Sequence, residues 1–103
     1  VKIGSLEYDA DGGFQFFSGA TMQRNFCVLR SGLAMKDAAQ MWADAATEAS
    51  AQAGITTLNH AITFCEGINV QNNEPRITDD VALMRHFQDL LCAAAECEDP
   101  AAQ

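Results

Sequence analysis

A chain of 103 residues with 49% hydrophobic and 19% charged side chains has the size and composition of one folding domain rather than a disordered tail. Fourteen acidic residues against six basic ones leave a formal charge of −8. That charge repels a phosphate backbone or an anionic bilayer, which excludes direct nucleic-acid binding and electrostatic attachment to a membrane. The basic side chains (Lys2, Arg24, Arg30, Lys36, Arg76 and Arg85) are scattered rather than clustered. No segment has the ~20 consecutive apolar residues of a membrane span, and no basic start followed by a short apolar run marks a secretory signal. The chain opens on Val1 rather than methionine, which leaves room for a piece upstream. Much of the apolar share is alanine, which buries little area, so the expected core is modest and open to completion by a partner subunit.

The first third reads as strands. Lys2 to Tyr8 is a short apolar segment, Asp9-Ala10-Asp11-Gly12-Gly13 has turn composition, and Phe14, Phe16 and Phe17 follow. Two apolar segments around a glycine-containing turn predict a β-hairpin. Ser18-Gly19-Ala20 is a second break. From Arg24 to Arg30, Phe26 and Val28 alternate with Cys27 and Leu29, which suits an inner third strand, with a short buried helix as the alternative. Ser31-Gly32 is read as its end.

Beyond Gly32 the pattern is helical. An alanine-rich run from Ala34 to Gln52 contains neither glycine nor proline and places Ala38, Trp42, Ala45, Ala46 and Ala49 three and four apart. Gly54 stands where a C-terminal stop belongs. A second helix is expected from Thr57 to Glu66, capped by Thr56, carrying Leu58, Ala61, Ile62 and Cys65 on one face and stopped by Gly67. A strand through Ala61 to Val70 competes with it. Asn69 to Arg76 is polar and reads as a loop. The last helix is expected to start at Thr78, with Asp79 and Asp80 at its positive end and a tail from 98 to 103 that frays. The fold class that results is α+β, a hairpin with a possible third strand packed on about three helices in a single domain. A mostly helical bundle, with residues 20 to 30 as another helix, is the rival.

The residues that carry chemistry give little purchase. Asp9-Ala10-Asp11-Gly12 opens like a calcium loop, but the sixth and twelfth positions hold Phe14 and Ala20 instead of glycine and an acid. His60 with Cys65, or His86 with a distant cysteine, has the residue types of a nucleophile and its base without any local signature. The glycine pairs lack the spacing and lysine of a phosphate loop. No metal, cofactor or catalytic residue is therefore expected. Cys92 and Cys97, five apart on the expected last helix, would face different ways, and Cys27, Cys65, Cys92 and Cys97 are read as reduced thiols of a cytoplasmic protein.

Two surfaces remain as candidates. Asp37, Asp44 and Glu48 lie in one arc of the alanine-rich helix, and Glu7, Asp9 and Asp11 crowd the hairpin, making an acidic face for a basic protein partner. Val81, Met84, Phe87 and Leu91 line an apolar stripe of the last helix wide enough to be shared between two copies of the chain. Either surface suits a non-enzymatic interaction protein, an inhibitor or adaptor of the small acidic type that phages and other mobile elements encode. A small-molecule site or enzyme with a pocket between sheet and helices, holding His60, His86 or Cys65, is the alternative.

Overall fold

The computed structural model describes residues 19–97, together with the backbone of residues 2–3 and 6–7. Its body is three helices: α1 (Ala20–Asp44), α2 (Glu48–Asn72) and α3 (Pro75–Ala94). Lys2–Ile3 (β1) and Leu6–Glu7 (β2) form an antiparallel ladder of two residues, Lys2 opposite Glu7 and Ile3 opposite Leu6. The expected α+β sandwich of hairpin on helices is thereby replaced by an all-helical bundle. Within the first segment, β1 pairs with β2. The expected turn and Phe14, Phe16 and Phe17 lie outside the described residues.

The expected third strand, Arg24 to Arg30, lies inside the first half of α1. Cys27, Ser31, Ala34 and Ala38 are buried at spacings of four, three and four, the core stripe of a helix. Phe26, Leu29 and Leu33 form a second apolar stripe beside it, exposed on the surface. Two apolar stripes on one helix put apolar residues at both even and odd positions, which imitates a strand buried on both faces. Ser31-Gly32 breaks nothing. The Ser31 hydroxyl donates to Val28 O at 2.9 Å within the helix, and a Cβ built on Gly32 meets no atom within 4 Å.

The run expected as one helix from Ala34 to Gln52 is cut in two. Ala45 adopts an extended conformation and closes α1, and Thr47 caps α2 through a reciprocal box with Ser50. Thr47 Oγ1 accepts from Ser50 N at 3.1 Å, and Ser50 Oγ accepts from Thr47 N at 3.2 Å. Serine in place of the usual Glu or Gln hides this box in the sequence. Gly54 and Gly67, both read as stops, lie inside α2, which also absorbs the competing strand of residues 61–70. That helix ends at Asn73, in the left-handed region at φ 48. The expected Thr78 cap also moves: α3 starts at Pro75 behind Glu74, whose carboxylate accepts from Arg76 N at 3.4 Å. Thr78 Oγ1 instead accepts from Asn69 Nδ2 at 2.9 Å, tying the end of α2 to the start of α3.

The α1–α2 seam is antiparallel and has two points of close approach. At one, Cys27 and Cys65 form a disulfide with their Cα atoms 5.1 Å apart and both side chains fully buried. At the other, a Cβ added to Gly54 would stand 3.1 Å from Ala38 Cβ and 3.1 Å from Leu91 Cδ1. Gly54 is thus a glycine of close packing, where all three helices meet. Cys27 to Ala38 and Cys65 to Gly54 are each eleven residues, about three turns, so the helices run in register between the two points.

Polar groups inside the bundle are paired. Gln88 of α3 donates to Ile55 O at 3.0 Å and to Asn59 Oδ1 at 2.7 Å. Ser31 Oγ of α1 lies 3.4 Å from Asp80 of α3, a second acceptor within reach of the one hydroxyl proton that also faces Val28 O, and Arg76 approaches the same carboxylate at 3.5 Å. No buried side-chain nitrogen or oxygen among the described residues lacks a partner.

The second disulfide, Cys92–Cys97, corrects the expectation of cysteines on different faces. The helix stops at Ala94, and Glu96 takes a left-handed conformation at φ 56 that turns the chain back. Cys97 N then donates to Cys92 O at 2.9 Å and Glu96 N to Ala93 O at 3.2 Å. This is the Schellman arrangement, in which the two positions now held by cysteine usually make an apolar contact. With both bridges closed, no free cysteine is present among the described residues, and the expectation of four reduced thiols is overturned.

Candidate functional site

A groove of ≈ 470 Å³ runs along the α1–α2 seam. Phe26, Leu29 and Leu33 from α1 and Ala61 and Phe64 from α2 supply its apolar wall. Arg30, Asp37, Thr57 and His60 supply its polar groups. The geometry follows from the seam. Residues that face the partner helix directly are small or paired, and the larger residues one position around the helix project outward on either side of the line of contact. Phe26, Arg30, Leu33 and Asp37 recur at four, three and four, and Thr57, Ala61 and Phe64 answer them at four and three.

Leu29 and Leu33 are 61% and 52% exposed, and Phe26 is 39% exposed. Single exposed leucines are ordinary, but three large apolar side chains on consecutive turns of one helix are a patch. The guanidinium carbon of Arg30 lies over the Phe64 ring, 4.7 Å from its centre. That contact holds the arginine's charge over an aromatic face in the groove lining. Asp37 closes the other end, eleven residues and about three turns of α1 from Phe26.

The acidic candidates of the sequence are only partly brought together. Asp37 and Asp44 are exposed on the same face of α1, seven residues apart, with Gln40 donating to Asp44 at 2.7 Å. Glu48 is exposed in the first turn of α2, just beyond the connection. Of Glu7 only the backbone, in β2, is described, and Asp9 and Asp11 lie outside the described residues, as does the calcium-like stretch around them. The apolar candidates on α3 turn inward. Val81, Met84 and Leu91 are buried in the core of a single chain and Phe87 packs half-buried against it. The exposed apolar side chains of α3 are their neighbours Leu83 and Leu90.

No family model, curated protein or solved structure matches this chain. Its chemistry therefore rests on its own residues. Cys65 is spent in a buried disulfide, so the proposed pairing with His60 has no thiol to activate. His86 is exposed on α3, and it does not line the groove. Among the described residues no group of three or more His, Cys, Asp or Glu side chains is arranged to hold a metal ion. None of the described helices is long and apolar enough to cross a membrane.

A second, smaller cleft of ≈ 280 Å³ lies between the end of α1 and the end of α3. Ala39, Trp42, Phe87, Leu90, Leu91 and Ala94 line it, and none of them carries a charge. It offers apolar area with only the Trp42 indole among its side chains able to donate a hydrogen bond to an occupant. The α1–α2 groove pairs apolar area with several polar groups, and it is the stronger candidate. Sequence reasoning missed Phe26 and Leu29 because it read Arg24 to Arg30 as a strand, and Leu33 because it placed a break at Ser31-Gly32 just before it. Their spacing of three and four under the rival helical reading is the signal that would have found them.

Proposed function

We propose that this chain is a non-enzymatic interaction domain that receives a basic protein partner on α1 and its seam with α2. The observation that carries the reading is a single groove in which half-exposed leucines, Leu29 and Leu33, adjoin the carboxylate of Asp37 on a chain of charge −8. Apolar side chains supply the contact energy of such an interface, and the surrounding field selects and steers the partner. Asp44 extends the acidic side beyond the groove.

Two closed disulfides support an oxidising compartment rather than the cytoplasm expected from unpaired thiols. Self-association through Val81, Met84 and Leu91 has less support, because these side chains already fill the core of one chain. A small-molecule site is a second reading, favoured by one observation: His60 lines a concave, largely apolar groove together with Arg30.

The test compares the wild-type chain with the pair Leu29→Glu and Leu33→Glu and with Asp37→Lys. All three positions are exposed, so the fold is expected to survive, which circular dichroism checks. Capture of a basic protein that weakens at raised salt and falls at least tenfold in each variant supports the reading. Capture indifferent to all three substitutions sinks it.

A further inference from the structure

Resting on that interaction reading, we infer that the partner's contacting segment is an amphipathic helix that lies in the α1–α2 groove as a fourth helix, antiparallel to α1. The groove dictates the helical form. Its walls are two helices whose backbone groups are already bonded within themselves, so it has no strand edge to offer. An extended peptide pressed against Phe26, Leu29, Leu33 and Phe64 would bury amides with nothing to bond them, apart from the few side chains Arg30, Asp37, Thr57 and His60. A helix satisfies its own backbone and presents only side chains.

The dimensions agree. From Phe26 to Asp37 is eleven residues of α1, about 16 Å at the helical rise. Three turns of a partner helix fit that length, with apolar side chains at i, i+3 or i+4, and i+7 falling between Phe26, Leu29 and Leu33 of α1 and Ala61 and Phe64 of α2. Two antiparallel helices whose outer residues recur at four and three present the same relief that receives a further helix in a bundle.

Charge sets the direction. Arg30 stands toward the N-terminal end of the groove on α1 and Asp37 at the opposite end, with Asp44 two turns beyond Asp37 on the same face. A helix carries partial positive charge at its N-terminus and partial negative charge at its C-terminus. Its N-terminal end, with lysines or arginines in the first turns, therefore belongs at Asp37 and Asp44, and its C-terminal end belongs at Arg30. That orientation runs against α1 and with α2.

The probes are three stapled 18-residue peptides of identical composition, the staple equalising their helicity. One has leucines at three–four spacing, lysines in the first turns and glutamates in the last. The second exchanges those charges end for end, and the third scrambles the leucines. Binding is read by fluorescence anisotropy at near-physiological salt. The expected result is binding of the first peptide, at least tenfold weaker binding of the second, and none of the third. Leu33→Glu should lose the first peptide, and Asp37→Arg should narrow or reverse the preference between the first two. Equal affinity for the first two peptides overturns the orientation, and binding of the scrambled peptide overturns the helix. If a basic protein still binds through Leu29 and Leu33 while neither amphipathic peptide does, this inference fails and the interaction reading stands. If no basic protein binds in a groove-dependent way, the interaction reading itself has failed.

Discussion

Cys27 and Cys65 join two helices across 38 residues of sequence, whereas Cys92 and Cys97 join one helix end to itself across five. The first pair is fully buried on the α1–α2 seam; in the second, Cys92 is buried and Cys97 is half-buried past the last turn of α3. The first removes a large loop from the unfolded ensemble and pins the register that creates the groove. The second fastens a turn that the Schellman hydrogen bonds have already closed. Equal chemistry thus does unequal work, and the difference lies in how much chain each bond constrains.

The largest expected effect comes from opening the seam. Replacing both Cys27 and Cys65 with alanine removes a closure worth about 4 kcal/mol by the chain-entropy relation for a loop of this length. A urea titration should show the midpoint falling accordingly, and an unchanged midpoint would mean the bridge does not hold the seam. Gly54→Val tests the other close point of the same seam. The new methyls meet Ala38 and Leu91 where even one Cβ would sit at 3.1 Å, so the expected loss is roughly 1–3 kcal/mol. Full stability in that variant would show that the three helices can separate there without cost.

The end of α3 should respond less. Replacing Cys92 and Cys97 with alanine is expected to cost at most about 2 kcal/mol, because the loop it opens is so short. Amide exchange should quicken at Glu96 and Cys97 and stay slow in the seam. Faster exchange throughout α1 and α2 would abolish the contrast between the two bridges. Glu96→Gly is the smallest test. A glutamate at φ 56 pays for a left-handed backbone that glycine adopts freely, so this variant should gain about 0.5–1 kcal/mol. A loss in thermal midpoint would show that the Glu96 side chain contributes more than its backbone strain removes.

Much of α2 and α3 was legible from spacing alone. Leu58, Ala61, Ile62 and Cys65 do share a buried face, as do Val81, Met84 and Leu91. The ends of these helices were not legible, since Gly54 and Thr78 serve other contacts and Gly67 is simply carried inside α2. Gly54 is required by packing, Gly67 is an exposed helical residue whose added Cβ would meet nothing within 4 Å, and Thr78 bonds Asn69. The α1 groove was hidden for a different reason. Phe26, Leu29 and Leu33 are apolar but exposed, and reading Arg24 to Arg30 as a buried strand puts Phe26 and Leu29 on opposite faces and leaves Leu33 beyond its end. Of the acidic candidates, Asp37 gains a neighbourhood in the groove, while the stripe on α3 loses its place on the surface to Leu83 and Leu90.

Composition and periodicity determined the acidic charge, the helical middle and end of the chain, and the core faces of α2 and α3, because these depend on residue counts and on neighbours within two turns. The tertiary structure alone decided that residues 20–44 are one helix, that the four cysteines pair as they do, and that Phe26, Leu29, Leu33 and Phe64 share a groove with Arg30 and Asp37. Each of these depends on contacts between segments far apart in sequence, or on one residue in the left-handed region. Local spacing permits these outcomes but does not select them over the alternatives.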